Sequence, residues 1–183
     1  MATDSVSTRA TSRPSSETIV AVAAVLSQAL WWVEIHMAFG LPAHPLLLHV
    51  PVVFVPILGL ATLAIAANNR LFERYLLPVA AFSVVTMAAT ILAAGAGEAF
   101  QEDRERRIPE AMKSTLQNHA DAGDTLRLTM VVLTLVLVAA LFSKRPAAQI
   151  ALRVLAVLFA LVAIFFVVRT GHLGSELVWS ENT

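Results

Sequence analysis

Residues 46–67 read LLLHVPVVFVPILGLATLAIAA. The run holds no Asp, Glu, Lys or Arg. At ~1.5 Å per residue it makes about 33 Å of helix, enough to cross a hydrocarbon core of ~30 Å. Asn68, Asn69 and Arg70 end it. The stretch is therefore expected to span a membrane, and the rest of the chain repeats its pattern.

Three further apolar runs follow: Leu76–Ala96, Leu126–Phe142 and Ile150–Val168. The first two are taken as uncharged, and Arg153, one turn into the last, is long enough to snorkel to the interface. Before them Ile19–Val33 is apolar except at Ser27 and Gln28. It belongs to a segment 19–39 that is either a retained helix or the core of a signal sequence. Trp31, Trp32 and Val33 carry the apolar run past the small residues Ser27 and Ala29, where a signal would be cut, and favour retention. The expected organisation is a disordered polar tail over 1–18, a hydrophobic helix over 19–39, a four-helix transmembrane domain over 40–179 and a short tail over 180–183. The fold class is all-α, a polytopic membrane helical bundle.

Composition agrees. The 183 residues are 57% hydrophobic and 14% charged, against about 45–50% and 25% in soluble domains. Mean hydropathy is +0.73. Thirteen basic residues balance thirteen acidic ones, so no field is available to attract nucleic acid. The lipid bilayer is the expected partner, together with a membrane redox partner or a second copy of the chain. The absence of cysteine excludes disulfides, Cys-ligated zinc, iron–sulfur clusters, thiol catalysis and c-type haem attachment. No phosphate loop, nucleophile elbow or H-E-x-x-H pair is present, and Gly95-Ala96-Gly97 lacks the third glycine of a dinucleotide loop. A stand-alone enzyme is not the expectation.

Orientation follows from the short loops. Arg70 and Arg74 lie after the second run, and Lys144 and Arg145 after the fourth, which puts that side in the cytoplasm of a bacterial inner membrane. The N-terminus joins them there if the first helix crosses. His44, His49, His119 and His172 then all fall on the periplasmic or extracellular side, and His36 with them. Glu34, Glu98, Asp121, Asp124 and Glu176 share that level. The segment Glu98–Thr125 between the third and fourth spans is charged, and helical spacing of Met112, Leu116 and His119 suggests that the fourth helix begins outside the bilayer.

Each histidine alone has a structural explanation: an entry loop for His44, a solvated helix for His119, a turn for His172. Four on one side suggest a shared metal or haem iron. Helices entering from that side present positive dipole ends there, which favours the neutral, ligating imidazole of His49 and His119. Pro51 and Pro56 free the carbonyls of Leu47 and Val52, which either mark a simple kink in a membrane helix, the favoured explanation, or accept an N–H from an imidazole and orient it. Haem b held by His49 with His119 or His172, and with His44 as alternative, is one expectation. Zinc or copper on the same four histidines, with Glu98, Asp121 and Asp124 as further candidates, is a second. A third is an assembly subunit with no cofactor. The small residues at 93–97 would admit either a neighbouring helix or a flat macrocycle.

Two motifs carry a resemblance. Residues 40–51, GLPAHPLLLHVP, contain H-P-x-x-x-H-x-P through His44, Pro45, His49 and Pro51. Residues 170–174, TGHLG, close the domain. Together they resemble an uncharacterised bacterial family catalogued as domain of unknown function 2231. His119, before Gly123, falls where that family also tends to carry a histidine. Ser175 and Trp179 depart from the usual glycine and tyrosine. The resemblance implies a four-helix integral membrane domain, sometimes found near redox proteins, over residues 40–179.

Overall fold

The computed structural model describes residues 14–179. The stretch 1–13 and the tail 180–183 lie outside the described residues. Four helices are long and apolar enough to cross a membrane. They are α3 (His49–Ala66), preceded by the short α2 (Ala43–Leu47), then α4 (Asn69–Glu105), α5 (Lys113–Phe142) and α6 (Pro146–Trp179). Each packs on two neighbours: α3 on α4 and α6, α5 on α4 and α6. The loops at residues 67–68 and 143–145 force up-and-down connectivity. One end of the bundle therefore carries the basic loops, and the other carries the histidines.

The core is largely apolar. Leu58, Met87, Ile91, Met130, Leu133 and Leu137 are fully buried between the helices. On α6 the inward residues are small: Ala156, Ala160, Ala163 and Val167. They let α6 approach closely, as membrane packing without a hydrophobic driving force requires. Gly59 on α3 meets Ile164 and the Ala160 carbonyl at the same contact. Several buried hydroxyls donate along their own helices, as in Thr90 Oγ1 to the Thr86 carbonyl at 2.8 Å, whereas Thr62 Oγ1 is buried without a partner among the described residues. One crosses between helices, Thr134 Oγ1 donating to the Ser83 carbonyl at 3.2 Å.

Both helix ends on the histidine side run further than the apolar runs. The third was expected to stop near Ala96, but α4 continues to Glu105, since Glu98, Gln101 and Glu102 are good helix formers with no breaker among them. The fifth was expected to stop at Arg169-Thr170-Gly171, but α6 continues through Gly171 and Gly174 to Trp179. Glycine costs about 1 kcal/mol in a helix, and packing against α5 outweighs it. That partner extends too: α5 begins at Lys113, well before its apolar run, as the helical spacing of Met112, Leu116 and His119 implied. The helices on this side thus project beyond the apolar layer.

The N-terminal segment is one α-helix and a tighter turn. Ser15 caps α1 (Ser16–Leu26), accepting from the Thr18 amide, so the helix starts before the apolar run does. A 3-10 stretch, Ser27–Trp32, continues it. Together they cover about 28 Å at ~1.5 and ~2.0 Å per residue. Ala24 packs with Val84 of α4 and Val138 of α5 in a small satellite core. Further along, Gly95 receives the backbone of Val33: a Cβ there would lie 2.5 Å from the Val33 carbonyl. The chain then turns back through a two-residue hairpin, pairing Met37 with Pro42 and Ala38 with Leu41. Phe39 and Gly40 both have positive φ, as the I′ turn demands.

Candidate functional site at the histidine end

Two of the four histidines meet. His44 on α2 and His119 on α5 lie edge to face, with ring centroids 6.2 Å apart. Each is anchored to a different helix through its Nδ1. His44 Nδ1 lies 3.0 Å from the Ala93 carbonyl of α4, and His119 Nδ1 lies 2.9 Å from the Thr170 carbonyl of α6. A carbonyl only accepts, so both Nδ1 atoms donate, and in the neutral ring the lone pair sits on Nε2. This is the tautomer of a histidine whose second nitrogen is held ready for a ligand.

Glycine makes the fit possible on both sides. A Cβ at Gly97 would lie 3.1 Å from His44 Cε1, and one at Gly174 would lie 3.0 Å from His119 Cε1. Phe100 stacks on His44 at 6.1 Å with 21° between the planes. The small patch at 93–97 therefore accommodates the chain itself: Gly95 takes the Val33 backbone and Gly97 takes an imidazole. Gly97→Ala must push His44 off its position by a few tenths of an ångström, against the backbone of its own short helix. Overpacking of this kind costs about 1–3 kcal/mol. A fall of that size in unfolding free energy, with altered chemical shifts for both imidazoles, is the expected result.

The other candidates stand apart. His49 is exposed at the start of α3, its Nδ1 3.3 Å from the Leu46 carbonyl of the preceding turn. His172 is exposed on α6 and pairs with Glu176 at 3.1 Å. His36 precedes the hairpin and lines a cleft of about 490 Å³ with Phe100 and Arg104. Asp121 accepts from Gln117 on its own helix. The carbonyls that orient the paired imidazoles belong to Ala93 and Thr170, not to the proline-freed Leu47 and Val52. His119 also lies beyond the first turn of α5, so the dipole of that helix end adds little there.

Glu98 and Asp124 are engaged elsewhere. Arg127 Nη2 bonds Glu98 at 2.7 Å and Asp124 at 2.9 Å. The guanidinium lies over the Trp31 ring at 4.0 Å. Arg127 overturns the expectation of an uncharged fourth span: it is the second residue of that run and is 6% exposed. Among the described residues it is the one charged side chain in the buried class. Its neighbourhood joins α4, α5 and the N-terminal segment, whereas the imidazoles join α2, α4, α5 and α6. The sequence signal was present in Arg127 itself, since a basic residue inside an apolar run needs a partner.

The opening motif supplies His44, and the closing one supplies Thr170 and Gly174, which touch His119. The family described as "Predicted membrane protein (DUF2231)" matches residues 40–183. The chain belongs to this family. The DUF2231 match opens at Gly40, in the hairpin turn, so α1 and the 3-10 stretch precede it. His44, Gly97, His119, Thr170 and Gly174 all fall within the DUF2231 portion. No curated protein and no solved structure matches the chain.

Among the described residues no three His, Asp, Glu or Cys side chains gather closely enough to hold a metal ion. The donor set the fold supplies is two imidazoles, which suit copper, zinc or iron. A macrocycle between them would need a flat slot. Here glycine backbone lies against both rings and Phe100 covers His44.

Proposed function

We propose that the His44–His119 pair is the working centre of this membrane protein, a site for one copper or zinc ion in a redox-associated or metal-handling subunit. The observation that carries this reading is the double anchoring. Two imidazoles from distant parts of the chain each give Nδ1–H to a carbonyl of a different helix, leaving both Nε2 lone pairs uncommitted. The two bonds also brace the helices, but bracing alone does not require two Nε2 atoms on neighbouring rings to be kept for a ligand. Two protein ligands leave further coordination positions open to water or to a partner's group, as suits transfer or electron exchange rather than a closed structural site. Haem b, the other ligand suggested by a layer of histidines, is less well served because the rings are enclosed by Gly97, Gly174 and Phe100.

The test is direct. The protein is purified in mild detergent, its metals are measured, and visible spectra are recorded in oxidised and reduced states. Copper or zinc near one equivalent, lost in His44→Ala, supports the reading. A haem spectrum would replace the ion with iron. A folded protein that takes up no metal after reconstitution with copper and zinc would leave the pair a structural device and the protein an assembly subunit.

We place the pair on the periplasmic or extracellular side of a bacterial inner membrane. Support comes from Arg70, Arg74, Lys144 and Arg145 at the opposite end of the bundle. The chain has no cysteine, so single cysteines report sidedness without background. Gln117→Cys should react with an impermeant maleimide added to intact cells, and Lys144→Cys should react only after the membrane is opened. The reverse pattern would turn the molecule over.

A further inference from the structure

At the basic-loop end, away from the imidazoles, α3 and α4 part to leave an apolar groove of about 410 Å³. Ala61 and Ala64 line it from α3; Leu71, Tyr75, Pro78 and Phe82 line it from α4. The α4 residues recur at helical spacing and form one stripe. From Leu71 to Phe82 the stripe runs about 16 Å at ~1.5 Å per residue. That is half of a ~30 Å hydrocarbon core, or one leaflet. Small side chains on α3 and proline on α4 explain why the helices do not close here: Ala61 and Ala64 reach little way across, and Pro78 removes a helical hydrogen bond.

The mouth of this groove is basic. Arg70 and Arg74 lie one turn apart on α4, each one residue before a lining residue. Both are exposed, and Arg74 lies over the Tyr75 ring at 5.3 Å. Among the described residues neither guanidinium has a carboxylate within ion-pair distance, although Glu73 lies between them in sequence. Arg153, the nearest basic residue of α6, is already committed to Asn69 and to the face of Phe72. An amphipathic ring at the mouth, two guanidinium groups beside it with no carboxylate partner among the described residues and one leaflet of apolar wall below match one kind of ligand.

We propose that this groove binds an anionic phospholipid, with one acyl chain along the α4 stripe and the phosphate on Arg70 and Arg74. The charge complementarity selects acidic over zwitterionic headgroups, and the groove length selects a chain from the leaflet on the basic side.

Native mass spectrometry of the full chain, stripped of lipid and titrated with phosphatidylglycerol or phosphatidylcholine, tests it. Phosphatidylglycerol should be retained preferentially. Each arginine should contribute about fivefold to that preference, so Arg70→Gln with Arg74→Gln should abolish it while leaving the helical content unchanged. Ala64→Phe, which fills the groove from its exposed α3 wall, should reduce retention of both lipids. Millimolar inorganic phosphate should not displace the lipid, because the chain supplies much of the affinity. Equal retention of the two lipids by the natural protein would overturn the proposal. So would an undiminished preference in the double variant, or full displacement by inorganic phosphate.

Discussion

Replacing either His44 or His119 with alanine should lower the affinity for copper or zinc by more than about 100-fold. Removing a group that merely orients a metal-binding histidine already costs 10–100-fold, and here a whole ligand goes. With two protein ligands the loss is not graded: once one imidazole is gone, the other holds an ion no better than a surface histidine. The double variant should therefore bind no more weakly than either single one. His49→Ala and His172→Ala provide the contrast. Both side chains are exposed, His49 against the Leu46 carbonyl of the adjoining α2 and His172 against Glu176 of its own helix, so their loss should leave the affinity within about twofold, a change too small to mark a ligand. Equal losses in all four variants would show an ion shared across the layer, which the positions of His49 and His172 argue against.

Folding should register the same substitutions differently. His119 joins α5 to α6 through the Thr170 carbonyl, and His44 joins α2 to α4 through Ala93. Losing one such bond while stranding a carbonyl costs about 1–3 kcal/mol. His119→Ala in the metal-free protein should fall in that range. Metal dependence of the stability difference between variant and parent then separates ligation from simple bracing.

Hydropathy made the four crossings legible, because lipid demands unbroken apolar helix and leaves little freedom of interpretation. It located their basic-loop ends well, at Asn68 and at Lys144-Arg145-Pro146, where polar loops meet the bundle. It failed at the histidine ends. There α4, α5 and α6 project past the apolar layer together, held by one another, and charge no longer marks where a helix stops. Gly171 reads as a terminator for the same reason, yet the helix runs on through it to Gly174, where the missing Cβ leaves room for His119. The histidine layer was legible as a level but not as a pair. Which imidazoles meet depends on the angular phase of each helix, and a helix that is apolar on every face carries no such phase in its hydropathy. Arg127 was visible throughout, yet its role depends on Trp31, a residue 96 positions away whose segment lies outside the family motifs.

Arg127→Ala should destabilise the protein by about 2–4 kcal/mol, and Arg127→Met by less than about 1. Two opposing contributions lead to this contrast. The guanidinium gains from Trp31, about 0.5–2 kcal/mol for a ring contact. It gains less from its acids, since Glu98 and Asp124 are 46% and 55% exposed and such pairs are screened. Against these stands a penalty: Arg127 Nε and Nη1 are buried without a hydrogen-bond partner, and an unmet buried donor costs about 1–3 kcal/mol. The charge is thus close to neutral in net effect. The aliphatic stem is not, because it fills the seam where α4, α5 and the N-terminal segment meet. Methionine keeps that volume and adapts to an aromatic neighbour, whereas alanine leaves a cavity. Unfolding in mixed detergent micelles, followed by helical circular dichroism and by the fluorescence of Trp31, distinguishes the two. If methionine costs as much as alanine, the ionic contacts with Glu98 and Asp124 hold the seam, and the N-terminal segment is docked by charge rather than by packing.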